Sequence, residues 1–315
     1  MTLSLGNVPI MGEAARDWLS QGQSGKVLAA VTHTTYLLTE DQELIWLATA
    51  ECPKHRRCIQ WPAALPRLAV GSTFTVRSRS VALESGINLD FSASHAWEAP
   101  ALSVENVIKI TQLPEKLLTV IESLLTKETP VGMGILIRPI LEIAKKQVCS
   151  IGLQPENILT RSAWPIIERI ARDCLIHDLP AVLQHAEALV GLGEGLTPSG
   201  DDFLGGLFFA RVLLLCSYPQ INYLGFSNLP EWIDAAQPRT NLISFALLKD
   251  NITGHALEPL NSLGLALMTN QPVECATSAA SDLIQVGHST GWSLLAGFLV
   301  GILLAFPDEL CIAPS

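Results

Sequence analysis

Hydrophobic and polar residues in the first hundred positions follow the two-residue period of half-buried β-strands. Residues 27–39 are rich in β-branched side chains and predict one strand. Residues 40–42 predict a turn, and residues 44–50 predict the returning strand. This stretch therefore predicts a β-hairpin.

The same period continues further along the chain. Residues 72–83 alternate as a half-exposed strand does, and residues 87–94 run back after a turn at Ser85 and Gly86. A short amphipathic helix over residues 10–21, ended by Gly22, precedes all the strands. Several short strands in this length predict a small antiparallel barrel or sandwich.

Apolar residues after about residue 100 recur instead at spacings of three and four, which predicts helices. The predicted helices cover residues 117–125, 135–148, 164–176, 181–190, 202–216, 240–249, 256–268, 273–285 and 292–305. The change of period lies between residues 97 and 110. We therefore expect an α+β protein, with an antiparallel β domain over residues 1–100 and a larger all-helical domain over residues 101–315.

Composition and charge exclude some classes of function. Hydrophobic residues make up 49% of the chain and charged residues 16%, as in a globular protein with a large core. The formal net charge of −10 argues against nucleic-acid binding, because phosphate contacts need a basic surface. The two most apolar runs are shorter than the roughly 20 residues of a membrane span, so we expect buried helices and no membrane partner.

The cysteines and the start of the chain bear on location. Seven cysteines occur at scattered positions without a CxxC pair, which is typical of reduced thiols. The first residues lack the basic and apolar regions of a signal peptide. We therefore expect a cytoplasmic protein.

The main candidate for chemistry is the glycine-rich segment, residues 191–202, which precedes a long apolar helix. Backbone N–H groups at a helix start, together with the helix dipole, favour an anion. Glycines let a ligand approach the backbone without a Cβ clash. The residues expected to bind substrate here are Gly193, Gly195, Thr197, Ser199 and Gly200.

A structural explanation competes with this one. Thr197 before Pro198 fits an N-cap, and Ser199 with Asp202 fits a capping box. Capping leaves the number of glycines and the adjacent pair Asp201 and Asp202 unexplained. These two carboxylates are candidates for catalysis, either as a general base or as acceptors for a substrate amide, or for holding Mg²⁺.

Two later motifs are weaker candidates. His288 lies in a turn of Gly, Ser and Thr before the last helix, where it could donate to an oxyanion or transfer a proton, and Ser289 and Thr290 are candidate substrate ligands. Thr240, Asn241 and Ser244 form a polar stripe at another helix start, and Thr240 and Ser244 are candidate substrate ligands. Helix capping is the alternative for both motifs.

The segments starting at Ser199 and Thr290 also resemble each other. Each has a hydroxyl residue, a glycine, apolar residues and a second glycine further on. This predicts that the two helix starts face one pocket and concentrate positive potential there. Close helix packing through the glycines is the alternative explanation.

The glycine-rich segment, the 240–244 helix start and the 287–291 turn together resemble a bacterial AllH-like family, long catalogued as a domain of unknown function. The family includes a subunit of an FdrA-type oxamate carbamoyltransferase of anaerobic allantoin and purine breakdown. The resemblance implies an FdrA-like subunit and a third protein as partners. The implied reaction converts oxalurate and phosphate to oxamate and carbamoyl phosphate. It also leads us to expect a carboxylate near the start of the last helix, where Trp292 and Ser293 stand here.

Three hypotheses remain open from the sequence. The chain is a subunit of a carbamoyltransferase complex that binds a small anionic substrate, a stand-alone hydrolase or transferase that uses the two aspartates and Mg²⁺, or a non-catalytic assembly subunit. The first is the leading hypothesis. No cofactor-binding motif is recognised in the sequence, and the aspartate pair suggests Mg²⁺ as a cofactor.

Overall fold

The computed structural model describes residues 8–62, 64–77, 79–100, 106–145, 158–220, 225 and 228–305. Contacts divide the chain between Ala99 and Pro100 into two compact units. The first holds the strands and the second is helical, so the predicted α+β class is confirmed.

The N-terminal unit is a curled nine-stranded sheet with one helix. Its elements are β1 (Ile10–Gly12), α1 (Glu13–Gln21), β2 (Ser24–Ala30), β3 (Thr34–Thr39), β4 (Leu44–Thr49), β5 (Cys58–Trp61), β6 (Thr73–Arg77), β7 (Ser80–Leu83), β8 (Asn88–Asp90) and β9 (His95–Trp97). The strand order is β8-β7-β6-β2-β3-β4-β5-β1-β9. One face packs on a core that includes Trp18, Leu37 and Phe74.

The prediction of a purely antiparallel sheet was wrong. Strand β4 pairs with β5 in parallel, with Trp46 opposite Cys58, and β1 pairs in parallel with β9. A parallel pair needs a connection that returns along the strand. Residues 50–57 make that return, and His55 in this connection stacks on Trp46 with ring centroids 4.9 Å apart.

Two segments predicted to be single strands each contain two strands in the structure. Residues 27–39 hold parts of β2 and β3, and residues 72–83 hold β6 and β7. The turn between Ala30 and Thr34 contains Val, Thr and His, and the turn between Arg77 and Ser80 contains no glycine. Neither turn has the Gly, Pro, Asn or Asp that marks a turn in sequence. The turns at Gln42 and Gly86 do have such signals, and both are present, with φ of 63° and 85°.

The C-terminal unit is built from ten α-helices in the described residues. They are α2 (Leu113–Lys127), α3 (Ile137–Ala144), α4 (Ile158–Leu175), α5 (Leu179–Ala186), α6 (Ser199–Ser217), α7 (Leu229–Ala236), α8 (Leu242–Ile252), α9 (Glu258–Met268), α10 (Val273–Ile284) and α11 (Thr290–Ile302). Every predicted helix is present, with shifted ends, while α7 was not predicted. The end of the predicted 135–148 helix, residues 146–148, lies outside the described residues.

Helices α6 and α11 form the centre of this unit. Both are apolar around their whole circumference, as buried helices are, and almost all their residues are buried. They run in the same direction and touch through glycines: a Cβ at Gly206 would overlap the backbone of Leu294, and one at Gly297 would overlap the carbonyl of Phe203. The glycines thus allow the two backbones to meet.

Within the described ranges, no helix combines the length and the apolar character that crossing a bilayer requires.

Candidate functional site

The glycine-rich segment leads into α6 at Ser199. Gly191, Gly193 and Gly195 all have positive φ, between 74° and 122°. Pro198 precedes the first helical residue, and no side chain makes a capping hydrogen bond there. The capping explanation for Thr197 and Ser199 is therefore wrong at this helix start.

The four glycines of the segment differ in what lies beside their Cα atoms. Gly191 and Gly200 lie against the carbonyl groups of Arg239 and Leu189, so they serve packing. A Cβ at Gly193 would lie 2.8 Å from the backbone nitrogen of Ser199, whereas one at Gly195 would meet open space. Gly193 therefore keeps the first N–H of α6 uncovered on that side.

Asp201 is buried and fully hydrogen-bonded. Its side chain is 2% exposed, and Oδ1 accepts from the backbone N–H of Gly191 at 2.8 Å. Oδ2 accepts from the hydroxyl groups of Thr240 and Ser244, the latter at 2.7 Å. Asp201 thus ties the glycine-rich segment to the start of α8.

The polar residues at the start of α8 have two different roles in the structure. The side chain of Asn241 caps the helix by accepting from the N–H groups of Ile243 and Ser244, each at 3.0 Å. The hydroxyls of Thr240 and Ser244, predicted to bind substrate, donate to Asp201. Their contact with a substrate stays a prediction.

Asp202 lies in the same first turn but differs sharply from Asp201. It is 7% exposed, and its Oδ2 atom is buried without a hydrogen-bond partner among the described residues. Burial raises the pKa of Asp202 well above its ordinary value, and the charge of Asp201 raises it further, against the opposite effect of the Thr290 and Thr197 hydroxyls. Burial in this first turn therefore favours the neutral carboxylic acid of Asp202 over its carboxylate.

The starts of α6 and α11 lie together, as the repeated segments predict. The Oγ1 atoms of Thr197 and Thr290 are 3.0 Å apart. Gly297 packs on Phe203 and Gly301 on Leu207, so the helices remain side by side and parallel. Both partially positive N-terminal ends therefore point the same way, next to Asp202.

Several N–H groups at these two helix starts find no acceptor among the described residues. Gly200 donates to Leu192 at 2.8 Å, and Gly291 donates to Val286 at 3.0 Å. In the part of the chain that the structure describes, no acceptor is found for four backbone N–H groups: Ser199, Asp201, Thr290 and Trp292. Such uncommitted donors are what a helix start offers to an anion.

The turn before α11 contributes exposed and buried groups. His288 is exposed and lies two residues before the first residue of α11. Ser289 lies beside Gly132, where a Cβ would meet its side chain at 2.7 Å. No side chain caps α11, so the capping explanation is wrong here too.

Sequence reasoning did not identify two features of this region. Ser293 is fully buried, and its Oγ has no partner among the described residues. Gly132, with φ of 56°, and Gly134 pack against Ser289, Trp292 and Ser293 on α11. The paired glycines were a visible signal of a close approach, but nothing in the sequence indicates that α11 is the partner.

Asp201 and Asp202, predicted to hold Mg²⁺, lie in the same first turn of α6. The described residues contain no group of three or more His, Cys, Asp or Glu side chains that could hold an ion. Both oxygens of Asp201 already accept hydrogen bonds. A cation would have to rely on Asp202 and on oxygens from substrate or solvent, and Mg²⁺ stays a prediction.

The raised pKa of Asp202 makes stability depend on pH. The folded chain keeps this proton at pH values where the unfolded chain, with a pKa of about 3.9, has lost it. The contribution is complete below about pH 4 and is lost as pH rises, by about 1.4 kcal/mol per unit, until the folded pKa is passed. Asp202→Asn removes this loss, so its free energy of unfolding should increasingly exceed that of the wild type as pH rises from 4.5 to 9.

Urea unfolding of both proteins at several pH values measures this difference. The control is Asp282→Asn, which changes an exposed aspartate of α10 and should keep the wild-type pH dependence. If the Asp202→Asn and wild-type curves stay parallel over the whole range, Asp202 is ionised in the folded protein.

Fold and site together define an α+β protein whose helical unit holds a buried carboxyl group between two parallel helix starts. Residues 189–302 match a family described as oxamate carbamoyltransferase subunit AllH. The resemblance seen in the sequence is confirmed over these residues, which include the glycine-rich segment, α6, α8 and α11. No solved structure matches the chain.

Proposed function

We propose that the chain is a subunit of an oxamate carbamoyltransferase complex, with an FdrA-like subunit and a third protein as partners. The complex would convert oxalurate and phosphate to oxamate and carbamoyl phosphate in allantoin and purine degradation. The observation that carries this proposal is the family match over residues 189–302, which includes both helix starts and Asp202.

The arrangement of the site supports a role in this reaction. All its substrates and products carry carboxylate or phosphate groups, which the free N–H groups of Ser199 and Thr290 suit. A phosphate oxygen forms a bond to the carbamoyl carbon of oxalurate, and the bond from that carbon to the amide nitrogen breaks. The leaving nitrogen must gain a proton to become the oxamate amide. The carboxylic acid of Asp202 would donate it, acting as a general acid.

The other predicted residues take positions around this centre. Asp201 would position the glycine-rich segment through Gly191, Thr240 and Ser244. The hydroxyls of Thr197 and Thr290 would hydrogen-bond the ligand beside Asp202. The exposed His288 would return a proton to the site from solvent.

The test is to produce the chain together with its FdrA-like and third subunits, supply oxalurate and inorganic phosphate, and measure carbamoyl phosphate. We expect product from the complete complex and none from the chain alone. Turnover by the chain alone with Mg²⁺ would favour the stand-alone enzyme. Full turnover by the two other subunits without this chain would favour an assembly role.

A further inference from the structure

Asp202 presents a physical problem at the proposed site. The starts of α6 and α11 lie together through Thr197 and Thr290, and their free N–H groups favour an anion. An ionised carboxylate in the same place would repel that anion strongly, because little water is present to screen the two charges. Asp202 is 7% exposed and forms no ion pair with a described residue.

The hydrogen-bonding pattern points to a donor as the solution. Oδ2 of Asp202 is buried and has no partner among the described residues, although buried polar atoms normally find one. If Oδ2 carries the proton, it is a hydrogen-bond donor, and a bound oxyanion supplies the acceptor that it lacks. The raised pKa of Asp202, caused mainly by burial, agrees with the protonated form.

We propose that the site binds an oxyanion, either a phosphate or a carboxylate, through the N–H groups of both helix starts and the carboxylic acid of Asp202, so that each anion is held together with one proton. This inference rests on the proposed function and adds how its anionic substrate is recognised. The proton on Asp202 removes the negative charge that would repel the anion, and it also provides a hydrogen-bond donor to that anion.

Other groups near the site titrate or carry charge and must be separated from Asp202. Helix α11 has no charged residue, and neither has the short 3₁₀ helix Gly132–Leu136 that packs on it. The charged or titratable groups on α6, on α8 and in the segments before α6, α8 and α11 are Asp201, Arg211, Cys216, Glu187, Glu194, Arg239, Lys249, Asp250 and His288. Those on α10, which packs against the start of α11, are Glu274, Cys275 and Asp282. His288 is the one whose ordinary pKa lies between 6 and 7, so it needs its own control.

The experiment is calorimetric titration of the full-length chain with oxamate, and separately with inorganic phosphate, from pH 5 to pH 9. Oxamate has a carboxylate that stays ionised over this range, so its affinity reports on the protein alone. We expect oxamate affinity to fall about tenfold per pH unit above the pKa of Asp202, as linkage to one proton requires. Proton uptake, measured in two buffers of different ionisation enthalpy, should approach one per oxamate at the alkaline end.

Two variants distinguish Asp202 from its neighbours. Asp202→Asn keeps a donor at every pH, so it should bind oxamate with an affinity that does not change with pH. His288→Gln should keep the wild-type pH dependence. If phosphate binds and oxamate does not, the site selects phosphate and the same pH analysis applies with allowance for the titration of phosphate itself.

Three results would overturn the inference: no binding of either anion, wild-type affinity that does not change with pH and stays well below that of Asp202→Asn, or a pH dependence that His288→Gln removes. Because binding is measured on the chain by itself, these outcomes are independent of turnover by the complex. A complex that makes no carbamoyl phosphate would overturn the proposed function and leave the binding result unaffected.

Discussion

Replacing Asp201 with alanine is expected to lower the free energy of unfolding by about 3 kcal/mol, since each buried donor left without an acceptor costs about 1–3 kcal/mol. The substitution leaves the N–H of Gly191 and the hydroxyls of Thr240 and Ser244 without their acceptor. All three lie where the glycine-rich segment meets α8. Urea unfolding at pH 7 measures the loss.

The controls use other aspartates. Asp282→Ala changes an exposed residue of α10, so its effect should stay within about 0.5 kcal/mol. Asp202→Asn should not destabilise the protein at pH 7, because the amide resembles the neutral acid. A loss below about 1 kcal/mol for Asp201→Ala would mean that Asp201 does not hold the segment in place.

Gly297→Ala should also be severely destabilising, by about 3 kcal/mol or more, because overpacking of a tight core costs 1–3 kcal/mol and occasionally more. The new Cβ would overlap the carbonyl oxygen of Phe203, which is backbone of the facing helix and cannot rotate away. Helices α6 and α11 must therefore move apart. Thermal and urea unfolding both report the change.

The matched control is Gly264→Ala in α9. There the new Cβ would meet the end of the Leu213 side chain, which can adopt another rotamer. Alanine also has a higher helix propensity than glycine by about 1 kcal/mol, so we expect little net change. If both substitutions cost the same, close backbone contact between α6 and α11 is not what Gly297 provides.

Much of the fold follows from local patterns. The change from a period of two to spacings of three and four predicts strands followed by helices, and the α+β class is confirmed. The turns that sequence reasoning missed, after Ala30 and after Arg77, lack glycine, proline, asparagine and aspartate, the strongest turn signals. The parallel pairing of β4 with β5 depends on how residues 50–57 fold back, which no periodicity records.

The candidate site shows the same limit at the level of single residues. Asp201 and Asp202 are chemically identical in the sequence, and only their surroundings separate them. Thr240 and Ser244, some 40 residues away, turn Asp201 into a buried acceptor, while Asp202 keeps an oxygen without a partner. The similarity between the segments at Ser199 and Thr290 predicted that these helix starts lie together, and the alternative of close packing through the glycines is confirmed as well. The pocket that they were expected to share stays a prediction.

The central claim is that Asp202 acts as an acid between the two helix starts. The most direct measurement is steady-state formation of carbamoyl phosphate from oxalurate and phosphate by the reconstituted complex containing Asp202→Asn. We expect kcat to fall at least 100-fold, within the 10²–10⁴ typical of a lost general acid, with KM for phosphate little changed. Complex assembly should match the wild type, and Tm should be no lower than that of the wild type. A correctly assembled Asp202→Asn complex that keeps more than half of the wild-type kcat would contradict the claim.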